Sequence, residues 1–124
     1  MNLPRIADLA MGEWQEHTRF PGIYMKSLLT SEDNPLASVN VVQVPSGRMI
    51  GHHHHPQQIE TVWIIKGEAI LTLDQTDIHL GDGQIIAIPI GLEHALRNEG
   101  QVLVELLTFF TPHSHEQKSG TYQC

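Results

Sequence analysis

A chain of 124 residues with 40% hydrophobic and 17% charged residues can bury one core but not two, which predicts a single soluble domain over residues 1–124 carrying one site. Fourteen acidic against seven basic residues give a formal charge of −7, which opposes binding to phosphate backbones and anionic lipid; neither nucleic acid nor a membrane is expected as a partner. The one cysteine, Cys124, excludes an intrachain disulfide and a thiolate metal cluster, so any metal must be held by nitrogen and oxygen.

The chain opens on MNLPRIADLAMGEW, where Pro4, Asp8 and Glu13 interrupt the apolar stretch a secretory signal needs; no export signal is read and a cytoplasmic location is expected. Residues 1–20 have mixed polarity and admit either a short helix around 6–11 or an edge strand. From residue 23 onward, short β-branched and apolar runs predict strands at 23–29, 38–44, 48–55, 61–66, 69–73, 77–80, 84–88, 93–98 and 102–110. Turn chemistry separates them at Asn34-Pro35, Pro45-Ser46-Gly47, Lys66-Gly67-Glu68, Gly81-Asp82-Gly83, Pro89-Ile90-Gly91 and Asn98-Glu99-Gly100. Such regular punctuation predicts an all-β fold, a closed antiparallel barrel. The tail over 112–124 has little to bury and is expected to fray.

Several strands are apolar on both faces. In TVWII, Val62 and Ile64 point one way while Thr61, Trp63 and Ile65 point the other. A single barrel needs only its inner face dry, so the surplus at 61–66 and 102–110 predicts that the outer face packs on a second subunit, as a homodimer; cover by loops or the N-terminal segment is the alternative.

Nine histidines are the compositional anomaly, and four of them stand in a row in GHHHHPQQIE. Strand alternation sends His53 and His55 to one face and His52 and His54 to the other, so one pair at a time can join an interior site. Reading outward from that run, Gly47 is followed after five residues by His53, after one by His55, after four by Glu60 and after six by Gly67. Further on, Gly83 is followed after five residues by Pro89, after one by Gly91, after two by His94 and after three by Asn98.

These two strings resemble the paired motifs of the cupin superfamily at ten spaced positions, the first over 47–67 and the second over 83–98, with 15 residues between them. The resemblance implies a jelly-roll β-barrel holding one divalent metal through His53, His55, Glu60 and His94. It makes Gly47, Gly67 and Gly83 bends, and Pro89 with Gly91 the turn that delivers His94. Choosing His52 and His54 would lengthen the gap to Glu60 to five residues, outside the family pattern.

Three imidazoles and a carboxylate suit Fe, Mn, Ni, Co, Cu or Zn and are too rich in nitrogen for Ca or Mg. An octahedral ion would keep two positions for water, dioxygen or a chelating substrate. His52 and His54 read as exposed rim residues, and His79 lies in a predicted strand. His113 and His115 share the His-x-His spacing but lie in the tail, and His17 has no evident partner. Residues two or four positions from a ligand on the same strand, and so on the same face, make Met49, Val62, Ile64 and Leu96 candidate pocket walls. Asn40 or Gln43 and one face of 102–110, with Glu105 if it turns inward, could add to them, and Tyr24, Lys26 and Arg48 could reach a mouth. Some cupin lyases that split dimethylsulfoniopropionate carry a tyrosine two residues after the glutamate ligand as general base; Val62 stands there, and valine cannot accept a proton. Two functions remain open: a metal-dependent enzyme on a small organic molecule, of dioxygenase, isomerase or lyase type, or a module that binds or senses a small molecule without turnover.

Overall fold

The computed structural model describes residues 3–112. Ten strands and no helix form among them: β1 (Gln15–Glu16), β2 (Tyr24–Leu29), β3 (Ser38–Val44), β4 (Met49–His53), β5 (Ile59–Lys66), β6 (Ala69–Leu73), β7 (Thr76–Leu80), β8 (Ile85–Ile88), β9 (His94–Arg97) and β10 (Val104–Thr111). Strands β2 to β10 stand where the alternating runs predict them. At the N-terminus the edge strand, not the helix, is realised, as β1 paired antiparallel to β2. Around residues 8–11 the Asp8 side chain accepts from the amide of Ala10 at 2.9 Å and its carbonyl from the amide of Met11 at 3.0 Å, a local turn that competes with helix.

The expected hydrogen-bonded closure of the barrel does not form among the described residues. The strands make two antiparallel sheets, of six in the order β1-β2-β3-β10-β5-β8 and of four in the order β4-β9-β6-β7. Strand β4 stops at His53, two residues short of the expected end, because the chain turns off through Pro56, which has no amide proton for a ladder. The residues between β8 and β9 likewise leave the ladder at Pro89.

Between the sheets, alternation selects the core. Val104, Leu106, Thr108 and Phe110 of β10 face inward with Glu60, Val62 and Ile64 of β5, all of them buried, and Ile50, Leu71 and Leu96 meet them from the smaller sheet. A register shift between Ile50 and His53 puts both on the inner face and leaves Met49 44% exposed. At the shift sits Gly51, where a side chain would lie 3.1 Å from the Phe20 ring. At the far end Asn98 ties three segments: its amide donates to Val44 O and Val102 O, and its oxygen accepts from the amide of Gly100.

On the outer face of the larger sheet, Lys26 is buried beneath the N-terminal segment. Its ammonium donates to Leu9 O at 2.7 Å and Met11 O at 3.1 Å and lies 4.5 Å from the centre of the Trp14 ring. That cover stops near β2, leaving Trp63 40% and Ile85 61% exposed at the β5–β8 end.

Candidate metal centre

Four buried side chains, three from residues 53–60 and one from residue 94, meet between the two sheets. His53 ends β4 and His94 begins β9, directly opposite one another in the ladder. Glu60 comes from the start of β5 in the other sheet, and His55 from the connection between β4 and β5. The turn that delivers His94 is tied to that connection, because the amide of Gly91 donates to His55 O at 2.9 Å. One ligand atom from each of His53, His55, Glu60 and His94 lies within 4.8 Å of all the others. Nitrogen and oxygen ligands held ~2.1 Å from one ion stand roughly 3 to 4 Å apart, so the cluster needs little contraction to hold one.

Two rings are oriented from behind. His53 Nδ1 donates to Gly51 O at 2.7 Å and His94 Nδ1 to Leu92 O at 2.9 Å, which turns each Nε2 lone pair toward the centre. His94 Nε2 then stands 2.9 Å and His55 Nε2 3.3 Å from Glu60 Oε1. Without a metal and with Glu60 ionised, His94 donates to both its neighbours only by carrying two protons. Burial alone would lower its pKa, but the bond to Glu60 and its charge outweigh burial and raise it. Burial would raise the Glu60 carboxyl, yet bonds from His55 and His94 hold it down at about 2. His53 is pushed down to about 4, chiefly by burial, against the pull of its bond to Gly51. A buried carboxylate that needs a positive partner, beside a ring kept neutral, is a donor set that fits a divalent cation.

Thr108, which the sequence reading did not single out, completes the arrangement. Its hydroxyl donates to Glu60 Oε2 at 2.5 Å from a fully buried position on β10, leaving Oε1 facing the imidazoles. The available signal was that Thr108 is the one polar residue in the inner series Val104, Leu106, Thr108, Phe110, but which face was inner could not be read beforehand. His17 was also missed. It is buried, its pKa is lowered by burial and then by Arg19, and its Nδ1 accepts the amides of Arg19 at 2.9 Å and Phe20 at 3.3 Å. That loop sets the Phe20 ring 5.7 Å from the His53 ring.

The expected surroundings are partly rearranged. Val62 and Leu96 line the cavity beside the cluster, whereas Ile64 lies deeper in the core and Met49 turns outward because of the shift at Gly51. Asn40 is buried on the inner face, but Gln43 and Glu105 pair on the outer one at 3.3 Å. Lys26 is held by the N-terminal segment, and Arg48 lies over Gly22, away from the cluster. His52 is exposed, 3.6 Å from Glu93, and His54 and His79 are exposed as well. His113 and His115 lie outside the described residues.

The family model for the Cupin domain matches residues 40–110, more than half of the chain. The chain is a cupin. Among relatives, it is 27% identical over 111 residues to polyketide synthase CurC of Streptomyces cyaneus, covering 88% of this cupin and 70% of CurC. Two further relatives share 32% identity over 74 residues, and the match spans only 59% and 54% of their lengths. Among solved structures, KdgF from Halomonas sp. superposes with a TM-score of 0.78 at 17% identity, covering 90% of this chain and 97% of that one. A predicted oxalate decarboxylase from Thermotoga maritima gives 0.76 at 21% identity, covering 86% and 98%. At these identities the structural likeness speaks for the fold alone.

Proposed function

We propose that this cupin binds one divalent transition metal, Fe, Mn, Ni, Co, Cu or Zn, through His53, His55, Glu60 and His94, and that it is a metal-dependent enzyme of dioxygenase, isomerase or lyase type acting on a small oxygen-bearing molecule. The carrying observation is the convergence of four buried ligand atoms around a carboxylate that otherwise borrows a proton from His94. When bound, the metal would supply Lewis-acid or redox chemistry at its remaining coordination positions. Glu60, pinned through Oε2 by Thr108, would offer Oε1 to it, and His53 and His94 would keep their Nε2 lone pairs inward through their backbone bonds. The relative named as a polyketide synthase supports a substrate class rich in carbonyl oxygen, which chelates such ions. A lone cysteine suits a reducing compartment, and we place the protein in the cytoplasm.

The test is elemental analysis of protein purified without a nickel column. One metal per chain is expected in the wild type. His53→Ala, His55→Ala and His94→Ala should each lose about tenfold or more in affinity, while His52→Ala and His54→Ala keep full occupancy. Loss confined to His52 and His54 would reverse the register. The second reading, a binding or sensing module, draws on the smallness of the inner cavity, about 20 Å³, which admits no organic substrate on the core side. Tight binding of a keto acid to the metal-loaded protein without turnover would favour it.

A further inference from the structure

The turn over residues 17–20 is built on a neutral imidazole. His17 is 8% exposed, and its Nδ1 accepts the amides of Arg19 at 2.9 Å and Phe20 at 3.3 Å, the part an Asn or Asp side-chain oxygen plays in a local turn. An accepting Nδ1 leaves the ring proton on Nε2, which is buried without a partner among the described residues. The polar hold of this side chain is therefore its Nδ1 lone pair. A second proton would occupy that lone pair, set a donor against two N–H groups and leave both ring nitrogens unsatisfied.

What the turn holds is Phe20. Its ring lies 4.9 Å from the His17 ring and 5.7 Å from the His53 ring, and it comes so close to Gly51 that a Cβ there would stand 3.1 Å away. The turn joins β1 to β2 at one edge of the larger sheet, whereas Gly51 and His53 belong to β4 at an edge of the smaller one. Phe20 thus packs across a seam that no strand pairing closes. The charged groups around it are Arg19, 5.0 Å from the centre of the Phe20 ring, Glu16, which accepts from the amide of Gly22 at 3.0 Å, and Arg48, which lies over Gly22.

We propose that His17 is an acid-released latch: its protonation breaks the turn over residues 17–20 and frees Phe20 from Gly51 and His53, opening the seam beside the buried cluster. The inference goes beyond the metal-dependent reading, since neither His17 nor Phe20 is a ligand. With the turn open, His17 titrates near its ordinary 6.5; with the turn closed it titrates lower, because of burial and then of Arg19. As pH falls below 6.5 the open form therefore gains about tenfold per pH unit, until the closed form takes the proton as well.

The test is hydrogen exchange at the amides of Arg19 and Phe20, corrected for the intrinsic rate at each pH, as pH falls from 6.5 toward the range near 4 where His53 titrates. Wild-type protection should fall about tenfold per pH unit. His17→Asn supplies an acceptor that does not titrate and should hold protection level, while His17→Ala should lack it throughout; His94 titrates in all three alike. In metal-loaded protein at neutral pH, His17→Ala should also yield its metal to a chelator several-fold faster than His17→Asn. Should His17→Asn fold poorly, a wild-type NMR titration serves, in which the His17 imidazole and the two amides should change together. The same acid loss in His17→Asn, or amides that stay protected while His17 titrates, would overturn the latch. Equal metal release from His17→Ala and His17→Asn would overturn its bearing on the cluster. A wild type that holds no metal would overturn the metal-dependent reading alone, and the exchange result would still decide the latch.

Discussion

Glu60 carries the only formal charge among the four clustered side chains at neutral pH unless His94 is protonated, and its two oxygens have separate tasks. Oε2 accepts from Thr108 and Oε1 faces the imidazoles, so Thr108 acts as a positioning residue for the carboxylate. Thr108→Val keeps the shape but removes the donor; it should weaken metal affinity about 10- to 100-fold and cost the metal-free protein roughly 1–3 kcal/mol, with Thr108→Ser restoring both. Competition titration and urea unfolding would measure the two effects; an unchanged affinity would leave the threonine a packing residue. Protonation has a definite sign for the metal-free protein. His53 falls to about 4 when folded, so between pH 6.5 and 4 the unfolded chain binds the extra proton and stability declines as pH falls. The raised His94 works the other way, its contribution being lost as pH rises through its folded value. Metal-free stability should therefore peak near pH 6.5. His53→Gln should flatten the acid limb, whose His53 share is at most on the order of 3 kcal/mol.

At the scale of elements, the ends of strands decide more than their middles. The β5–β6 turn depends on Gly67, which has φ +101° and would place a Cβ 2.9 Å from Leu103 O, a backbone atom that cannot swing aside. Gly67→Ala should cost about 1–3 kcal/mol in urea unfolding; a neutral result would mean that the turn and the 103–104 backbone move together. The shift at Gly51 has the opposite use, letting Ile50 and His53 share a face that strict alternation would divide. This is also where the expected pocket wall Met49 was lost, since a two-residue period counted along one strand has no means of registering an insertion against its partner.

For the whole molecule, we propose a homodimer through the outer face of β10, β5 and β8. The N-terminal segment covers the β2 side through Lys26 and leaves Trp63 and Ile85 exposed at the other. Light scattering at micromolar concentration should give twice the chain mass, and Trp63→Glu should give the monomer; a wild-type mass near 13.9 kDa would defeat the proposal.

The nine strand runs and their alternation could be read from the sequence alone, because each is a local period or a local turn preference written in neighbouring residues, and the ten spaced positions were legible through their resemblance to the cupin motifs. The cupin motif that residues 47–67 resemble also favoured His53 and His55 over His52 and His54, and those two are the buried pair. Other features were decided only by the tertiary structure: two sheets in place of a closed barrel, Glu105 facing out, Lys26 sealed under Trp14, Thr108 on Glu60, and the aliphatic cavity beside the cluster. Each depends on which strand lies against which, and in what register, across tens of residues. Thr108 meets Glu60 because β10 pairs with β5 across 48 positions of chain. The β-branched pattern of either strand reads the same whichever partner it takes, so only the folded pairing could show that contact.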